Sequence, residues 1–178
     1  MFDLGTSFLA SVARDPDALA IVDDTLRLTY QEWYRRISSV VAGLDALGLK
    51  PGDHLVTVLQ NRWEEATIHW ACQFAGIIVT PVNWRATADD LDFFCADAGA
   101  KALIYEDVSA EAARGCRAGC PGMNVSDFVE SPLLISSDEA FVCTGIDQLT
   151  MTFRCFLRHQ SPSLKKCSLP VQQIPVVV

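Results

Sequence analysis

Apolar residues recur along the first 140 positions at two spacings, and the spacing changes at capping residues. From Thr29 to about Leu47, the residues Trp33, Ile37, Val40, Val41, Leu44 and Leu47 fall on one face at helical period. Thr29 is the expected cap of that helix and Gly48 its stop, with Glu32 and Arg36 paired four apart on the wet face. Upstream, Thr6 or Ser7 is placed to cap a short helix running to about Arg14. Between the two, Ala18 to Val22 and Leu26 to Leu28 flank Asp23-Asp24 and read as a hairpin.

Downstream the pattern alternates. Lys50-Pro51-Gly52-Asp53 is a turn, and His54 to Leu59 is a strand with β-branched Val56, Thr57 and Val58. Asn61 is expected to cap the next helix, with Glu64 three residues on, and Trp63, Ala66, Trp70 and Phe74 mark its buried stripe. Gly76 ends it. Ile77 to Val82 is a nearly all-apolar strand, the pattern of a strand covered on both faces. Thr87 and Asp90 cap a helix to about Ala98, Gly99 ends it, and Lys101 to Tyr105 is the next strand. Strand, helix, strand, helix, strand implies parallel pairing with right-handed crossovers, hence an α/β fold. Ser109 to Arg114 suggests a further helix, and Gly115 to Gly122 reads as loop.

Beyond residue 140 both periodicity and composition change. Residues 1–140 hold 10 basic and 21 acidic side chains; residues 141–178 hold 4 and 1. Alanine falls from 20 to none, while glutamine goes from three to four. Gln160 to Val178 carries three prolines and no clear element signal. The chain therefore divides into an α/β part, 1–140, and an irregular tail, 141–178. Two readings of the tail stay open: a flexible segment, or codons read outside the frame that shaped the upstream protein.

Charge and composition narrow the function. At 178 residues, 50% hydrophobic and net charge −8, the chain can build a real core but lacks the basic character of a general nucleic-acid binder. Its first residues, Met1-Phe2-Asp3-Leu4-Gly5, have neither the basic nor the long apolar region of a signal peptide. The longest apolar stretch, Phe74 to Val82, is far shorter than the roughly 20 residues of a membrane span. A cytoplasmic location is expected. The seven cysteines are odd in number and irregularly spaced, which argues against a disulfide framework. Cys116 and Cys120 form a C-x3-C pair without the two further ligands that zinc requires, so free thiols are expected.

Specific catalytic motifs are absent. There is no G-x-x-x-x-G-K-[ST], no G-x-G-x-x-G and no G-x-S-x-G. Cys72 lies mid-helix among aromatic residues and reads as a small buried side chain, and His54 and His69 read as structural histidines. Glu64-Glu65 and Asp89-Asp90 each fall in the first turn of a helix, where acids complement the dipole. Arg35-Arg36 reads as a solvated face, Lys165-Lys166 is too short for a basic patch, and Trp63, Trp70 and Trp84 read as packing residues.

Three segments together resemble one family. Leu28-Thr29-Tyr30-Gln31-Glu32-Trp33 is similar to the L-T-Y-x-E-L element of adenylate-forming enzymes, the superfamily of acyl-CoA synthetases, luciferases and nonribosomal adenylation domains. Gly48-Leu49-Lys50-Pro51-Gly52-Asp53-His54-Leu55 resembles its G-[VL]-x-x-G-D-x-V turn. Phe74 to Arg85, with Pro81-Val82-Asn83-Trp84-Arg85, resembles its A-G-x-x-x-x-P-[VL]-N element in the acyl-CoA synthetase form. Order and separation agree over roughly residues 5–140.

The resemblance implies a partial three-layer, parallel-sheet N-terminal subdomain. It also implies the family reaction, in which a carboxylate, ATP and CoA give acyl-CoA, AMP and pyrophosphate, with Mg²⁺ offsetting phosphate charge and a C-terminal lysine assisting. The family's phosphate loop, [YF]-T-S-G-[ST]-T-G-x-P-K-G, should follow Ser137-Asp138-Glu139-Ala140. The chain instead continues Phe141-Val142-Cys143-Thr144-Gly145, and only Thr144-Gly145 matches. No catalytic, cofactor-binding or metal residue therefore carries over. The expectation is a truncated piece, inactive alone and holding no cofactor itself, although the family uses ATP, Mg²⁺ and CoA. The alternative is a non-catalytic module that pairs with a complementing chain or with itself through an exposed sheet edge.

Overall fold

The computed structural model describes residues 4–24 and 26–129. The tail reading and Thr144-Gly145 lie outside the described residues.

Capping chemistry sets most helix boundaries where the sequence pattern puts them. Helix α1, Leu4–Arg14, is followed by an antiparallel hairpin of β1, Leu19–Asp23, and β2, Leu26–Thr29. Thr6 and Ser7 lie inside α1 rather than at its cap. Thr29 caps α2, Tyr30–Ala46, in a reciprocal capping box: its hydroxyl accepts from the Glu32 N–H at 3.2 Å, and its own N–H donates to Glu32 Oε2 at 2.8 Å. Glu32 is thereby held by the cap, and Arg36 instead lies 5.0 Å over the Trp63 ring.

Next come β3, His54–Val58; α3, Trp63–Ala75; β4, Ile78–Pro81; α4, Ala88–Ala98; and β5, Ala102–Tyr105. A 3-10 turn at Asp107–Ser109 leads into α5, Ala110–Gly115. Two short elements lie where the sequence carries no element signal: β6, Gly122–Asn124, and α6, Val125–Val129. Among the described residues the main sheet is parallel throughout, in the order β4-β3-β5-β6.

Alternation along β3 builds two cores. Leu55 faces one side with Ile104, against Phe8, Ile37, Leu44 and Ile68 from the first three helices. Val56 and Val58 face the other with Leu103, against Leu91 and Cys95 of α4. Helices thus cover both faces, giving three layers. A ring cluster joins the first three helices: Phe8 lies 4.8 Å from Trp70 and 5.3 Å from Trp33 between centroids. The Trp33 indole N–H donates to Thr67 Oγ1 at 2.9 Å, and the Thr67 hydroxyl donates to the Trp63 carbonyl at 2.7 Å.

Three expectations are corrected. Asn61 does not cap α3: Arg62 holds the cap position without a side-chain cap bond, and the Trp63 N–H donates to Asp23 Oδ2 of the hairpin at 3.2 Å. A distant carboxylate takes the place of a local one. The most buried side of α3 carries Thr67, Ile68, Ala71, Cys72 and Ala75, while Trp63, Ala66, Trp70 and Phe74 flank it half-buried. Small residues let the helix approach the sheet, and the large rings fill its sides. Finally, the run at Ile77 to Val82 is an edge strand: Val79 packs on one core and Val82 on the other, but its outer edge is open. It pairs only with β3 among the described residues, and Ile78 is 47% exposed. Pro81, which has no N–H to donate, suits that edge position.

Candidate functional site

In open parallel sheets, ligands bind beyond the carboxyl ends of the strands. Here that rim is formed by the segments leaving β3 (Leu59 to Arg62), β4 (Val82 to Ala86) and β5 (Glu106 to Ser109). β3 is flanked by β4 on one side and β5 on the other, so the strand order reverses at β3.

An ionic cluster closes the β3–β5 part of the rim. Arg62 binds Glu64 through two nitrogens, at 2.7 and 3.1 Å, and Glu106 through Nη1 at 3.0 Å. Glu106 is 2% exposed, and its other oxygen accepts the Gln60 N–H. Ser109 ties the turn to the sheet: its hydroxyl donates to the Val58 carbonyl at 2.7 Å and accepts the Glu106 N–H at 3.2 Å. The hydrogen bonds to Glu64 and then Glu106 raise the Arg62 guanidinium above its ordinary value, so it is firmly protonated and engaged.

A third carboxylate lies behind this pair. Glu65 Oε1 accepts the Thr57 hydroxyl at 2.9 Å, while its Oε2 is buried without a partner. Burial pushes the Glu65 carboxyl above the usual carboxylate range; Thr57 opposes that shift, and the charge of Glu106 adds to it.

At the β4 end a groove of about 430 Å³ is lined by Thr80, Pro81, Asn83, Arg85, Asp90 and Phe94 among others. Asn83 Oδ1 accepts the Arg85 N–H at 2.9 Å, which turns the chain, and the Arg85 guanidinium stacks 3.9 Å over the Trp84 ring.

The residues singled out from the sequence are mostly framework. Cys72 is fully buried, and desolvation pushes its thiol up to about 12, which suits a packing residue and not a nucleophile. His69 lies exposed, edge-on to Trp70, and His54 Nδ1 is buried without a partner. Asp90 forms a capping box with Thr87 at the start of α4, and Asp89 pairs with Arg117 at 3.1 Å. Cys116 and Cys120 are free thiols. Among the described residues, no group of three or more His, Cys, Asp or Glu side chains could hold a metal ion. No helix among them is long and apolar enough to cross a membrane.

The sequence pattern assigns Glu64-Glu65 to the helix dipole and does not single out Arg62 or Glu106. The available signal was position: Glu106 directly follows a predicted strand at the carboxyl edge of a parallel sheet.

Two elements of the family resemblance meet at the opposite end of the sheet. The Gly52 N–H of the β3 turn donates to the Gly76 carbonyl at the end of α3, at 2.8 Å. Lys50 N–H donates to Asp53 Oδ2 at 2.7 Å, closing the same turn.

Fold and rim together define an open parallel α/β sheet covered by helices on both faces. A family model described as AMP-binding enzyme matches residues 8–146, and the chain belongs to that family. It is 33% identical over 116 residues to a feruloyl-CoA synthase from Amycolatopsis sp, covering 65% of this chain and 24% of that protein. It is 27% identical over 136 residues to the long-chain-fatty-acid–CoA ligase FadD13 of Mycobacterium tuberculosis, covering 72% and 27%. The crystal structure of the N-terminal domain of FACL13 from Mycobacterium tuberculosis superposes with a TM-score of 0.70 at 26% identity, covering 83% of this chain and 40% of that one. The chain thus spans about a quarter of the length of these two curated relatives.

Proposed function

We propose that this chain is the N-terminal scaffold portion of an ATP-dependent acyl-CoA ligase and that the 178-residue polypeptide has no ligase activity alone. The observation that carries the reading is the occupied rim. Arg62, the cation at the carboxyl-end rim beyond β3, is engaged by Glu64 and Glu106, with Glu65 behind them. Glu64 and Glu106 already take up the Arg62 guanidinium, which leaves no free cation there for a triphosphate. The described residues do not fit ATP, and the sequence has no glycine- and serine-rich phosphate loop after Ala140. The matched family elements supply a helix cap, a turn and a strand exit, all framework.

The test is direct. Purified chain incubated with ATP, Mg²⁺, CoA and a panel of aromatic and fatty carboxylic acids is expected to release no pyrophosphate above a protein-free blank. Turnover that tracks protein concentration rejects the reading.

A second reading, a module that pairs with a complementing chain or with itself, is favoured by the edge strand. β4 leaves one side unpaired among the described residues, with Ile78 exposed on it and Phe94 lining the groove beside Thr80 and Pro81. Size-exclusion chromatography separates the two: a monomer with cooperative melting argues against a need for a partner.

A further inference from the structure

β4 is an outer strand of the sheet among the described residues, and its backbone bonds fix which of its groups face outward. The Ile78 N–H donates to the Asp53 carbonyl at 2.9 Å, and the Val82 N–H donates to the Thr57 carbonyl at 2.7 Å. Alternate residues of a parallel strand bond the same neighbour. Ile78, Thr80 and Val82 therefore turn their N–H and C=O groups to β3, while Ile77, Val79 and Pro81 turn theirs away. Pro81 has no N–H, and the Ile77 N–H already donates to the Cys72 carbonyl at 2.9 Å. Among the described residues, Val79 is thus the position on this edge that presents an outward donor and acceptor together.

Side chains follow the same alternation. Val79 packs into the core beneath the first three helices, which puts Ile78 and Thr80 on the α4 face. On that face the groove of about 430 Å³ runs beside the strand, with Thr80, Pro81 and Phe94 in its wall. Ile78 is 47% exposed, and the Phe93 ring lies 5.5 Å from the Phe94 ring. No charged side chain lies between Gly76 and Trp84, so this edge is neutral in a chain of net charge −8.

We infer that the occupant of this edge is a second copy of the chain, paired antiparallel through β4 about a two-fold axis at Val79; this rests on self-pairing through β4 and specifies its geometry. The edge carries both halves of the contact. An exposed apolar side chain, Ile78, and an apolar-walled groove at Thr80 lie two residues apart on one face, and a two-fold axis between them makes each copy fill the other. With one outward donor per copy, two backbone bonds form in any antiparallel register, so the side chains select the register. Centred on Val79, the two Val79 residues exchange both bonds. Ile78 of each copy then lies opposite Thr80 of the other and covers its groove against Phe94. Two neutral edges meet without like-charge repulsion, although the chain as a whole is acidic. The contact takes in about ten residues a side, against the roughly 20–30 of a standard interface, so the dimer is weak and reversible.

Cross-linking tests the register. Full-length Ile78→Cys and Thr80→Cys chains, one of them isotope-labelled, are mixed, mildly oxidised and digested with trypsin. Opposed residues in a non-hydrogen-bonded antiparallel pair have Cα atoms about 4.5 Å apart, within the roughly 4.4–6.8 Å that a disulfide spans. Both positions lie on the tryptic peptide from Trp63 to Arg85; the label tells the copies apart, and fragment ions separate the new sites from Cys72. The expected product joins position 78 of one copy to position 80 of the other, several-fold more abundant than 78–78 or 80–80 links. Sedimentation velocity should show a monomer–dimer equilibrium for the wild type. Val79→Pro removes the outward donor and leaves every bond to β3 in place, so it should weaken the dimer about tenfold or more. If that variant does not melt cooperatively, the cross-link pattern decides, since Ile78 and Thr80 are at the surface or half-buried. A dimer whose links are mainly 78–78, 80–80 or between native cysteines overturns this geometry and leaves self-pairing standing. A monomer at every concentration, with no link, overturns both.

Discussion

Glu65 carries a carboxyl whose two oxygens have different surroundings. One accepts the Thr57 hydroxyl at 2.9 Å; the other is buried with no donor. Desolvation raises its pKa above the ordinary 4.5, with the charge of Glu106 adding to the shift. The folded chain therefore holds this proton to a higher pH than the unfolded chain does. Between 4.5 and the folded value the native state binds more protons, so the contribution of this group to stability is complete below 4.5 and is lost as pH rises through the folded value. Glu65→Gln keeps an oxygen for Thr57 and removes the titration. Urea unfolding of both proteins at pH 5 and pH 8 should show the variant gaining on the wild type with rising pH. A difference that stays constant between the two pH values would show that Glu65 does not titrate differently on folding. Adjacent Glu64 turns instead to Arg62. One residue along a helix is about 100° of rotation, and a sequence pair of acids does not say which member faces the sheet.

At the scale of elements, local chemistry was legible and non-local order was not. The Thr29–Glu32 and Thr87–Asp90 boxes and the glycine stops lie within a few residues of the structures they make. Gly76 is the clearest stop. Its φ is +68°, and a Cβ there would meet Pro51 Cβ at 3.3 Å. Gly76→Ala should cost about 2 kcal/mol, roughly 1–2 of it from the left-handed backbone. Gly99 provides the control: it ends α4 at φ +61°, and a Cβ there would meet nothing within 4 Å. Gly99→Ala should therefore cost less, and equal losses in urea midpoint would rule out the Pro51 contact as a contributor. The hydrophobic run at Ile77 to Val82 misled for a different reason. A strand's place in the sheet order is decided by which partners arrive on each side, and β5 passed β4 to pair with β3. The same non-locality hid the rim cluster, since Glu106 reaches Arg62 across 44 positions. β6 and α6, at three and five residues, are too short to show a period.

For the whole molecule, the question is what the β4 edge does when the chain is alone. A parallel edge strand offers a row of unpaired N–H and C=O groups, and proteins blunt such edges with prolines, charges or cover. Pro81 blunts one end here, but Ile78 at the other is 47% exposed, and Phe93 nearby in sequence on α4 is 63% exposed. The chain spans about a quarter of the length of the curated relatives it matches, and an exposed apolar edge is a surface suited to pairing. In the isolated 178-residue polypeptide the same edge should drive concentration-dependent self-association. Ile78→Lys places a charge on that edge at a side chain already half in water, so it should leave the melting temperature within a few degrees of wild type. It should also shift the wild-type oligomer toward monomer in sedimentation velocity across a tenfold concentration range. Leu47→Lys, a comparably partial exposure at the end of α2, is the matched control and should not shift it. If both substitutions dissolve the assembly alike, general surface hydrophobicity and not the β4 edge holds it together; if the wild type is monomeric throughout, the edge is already protected within the chain itself.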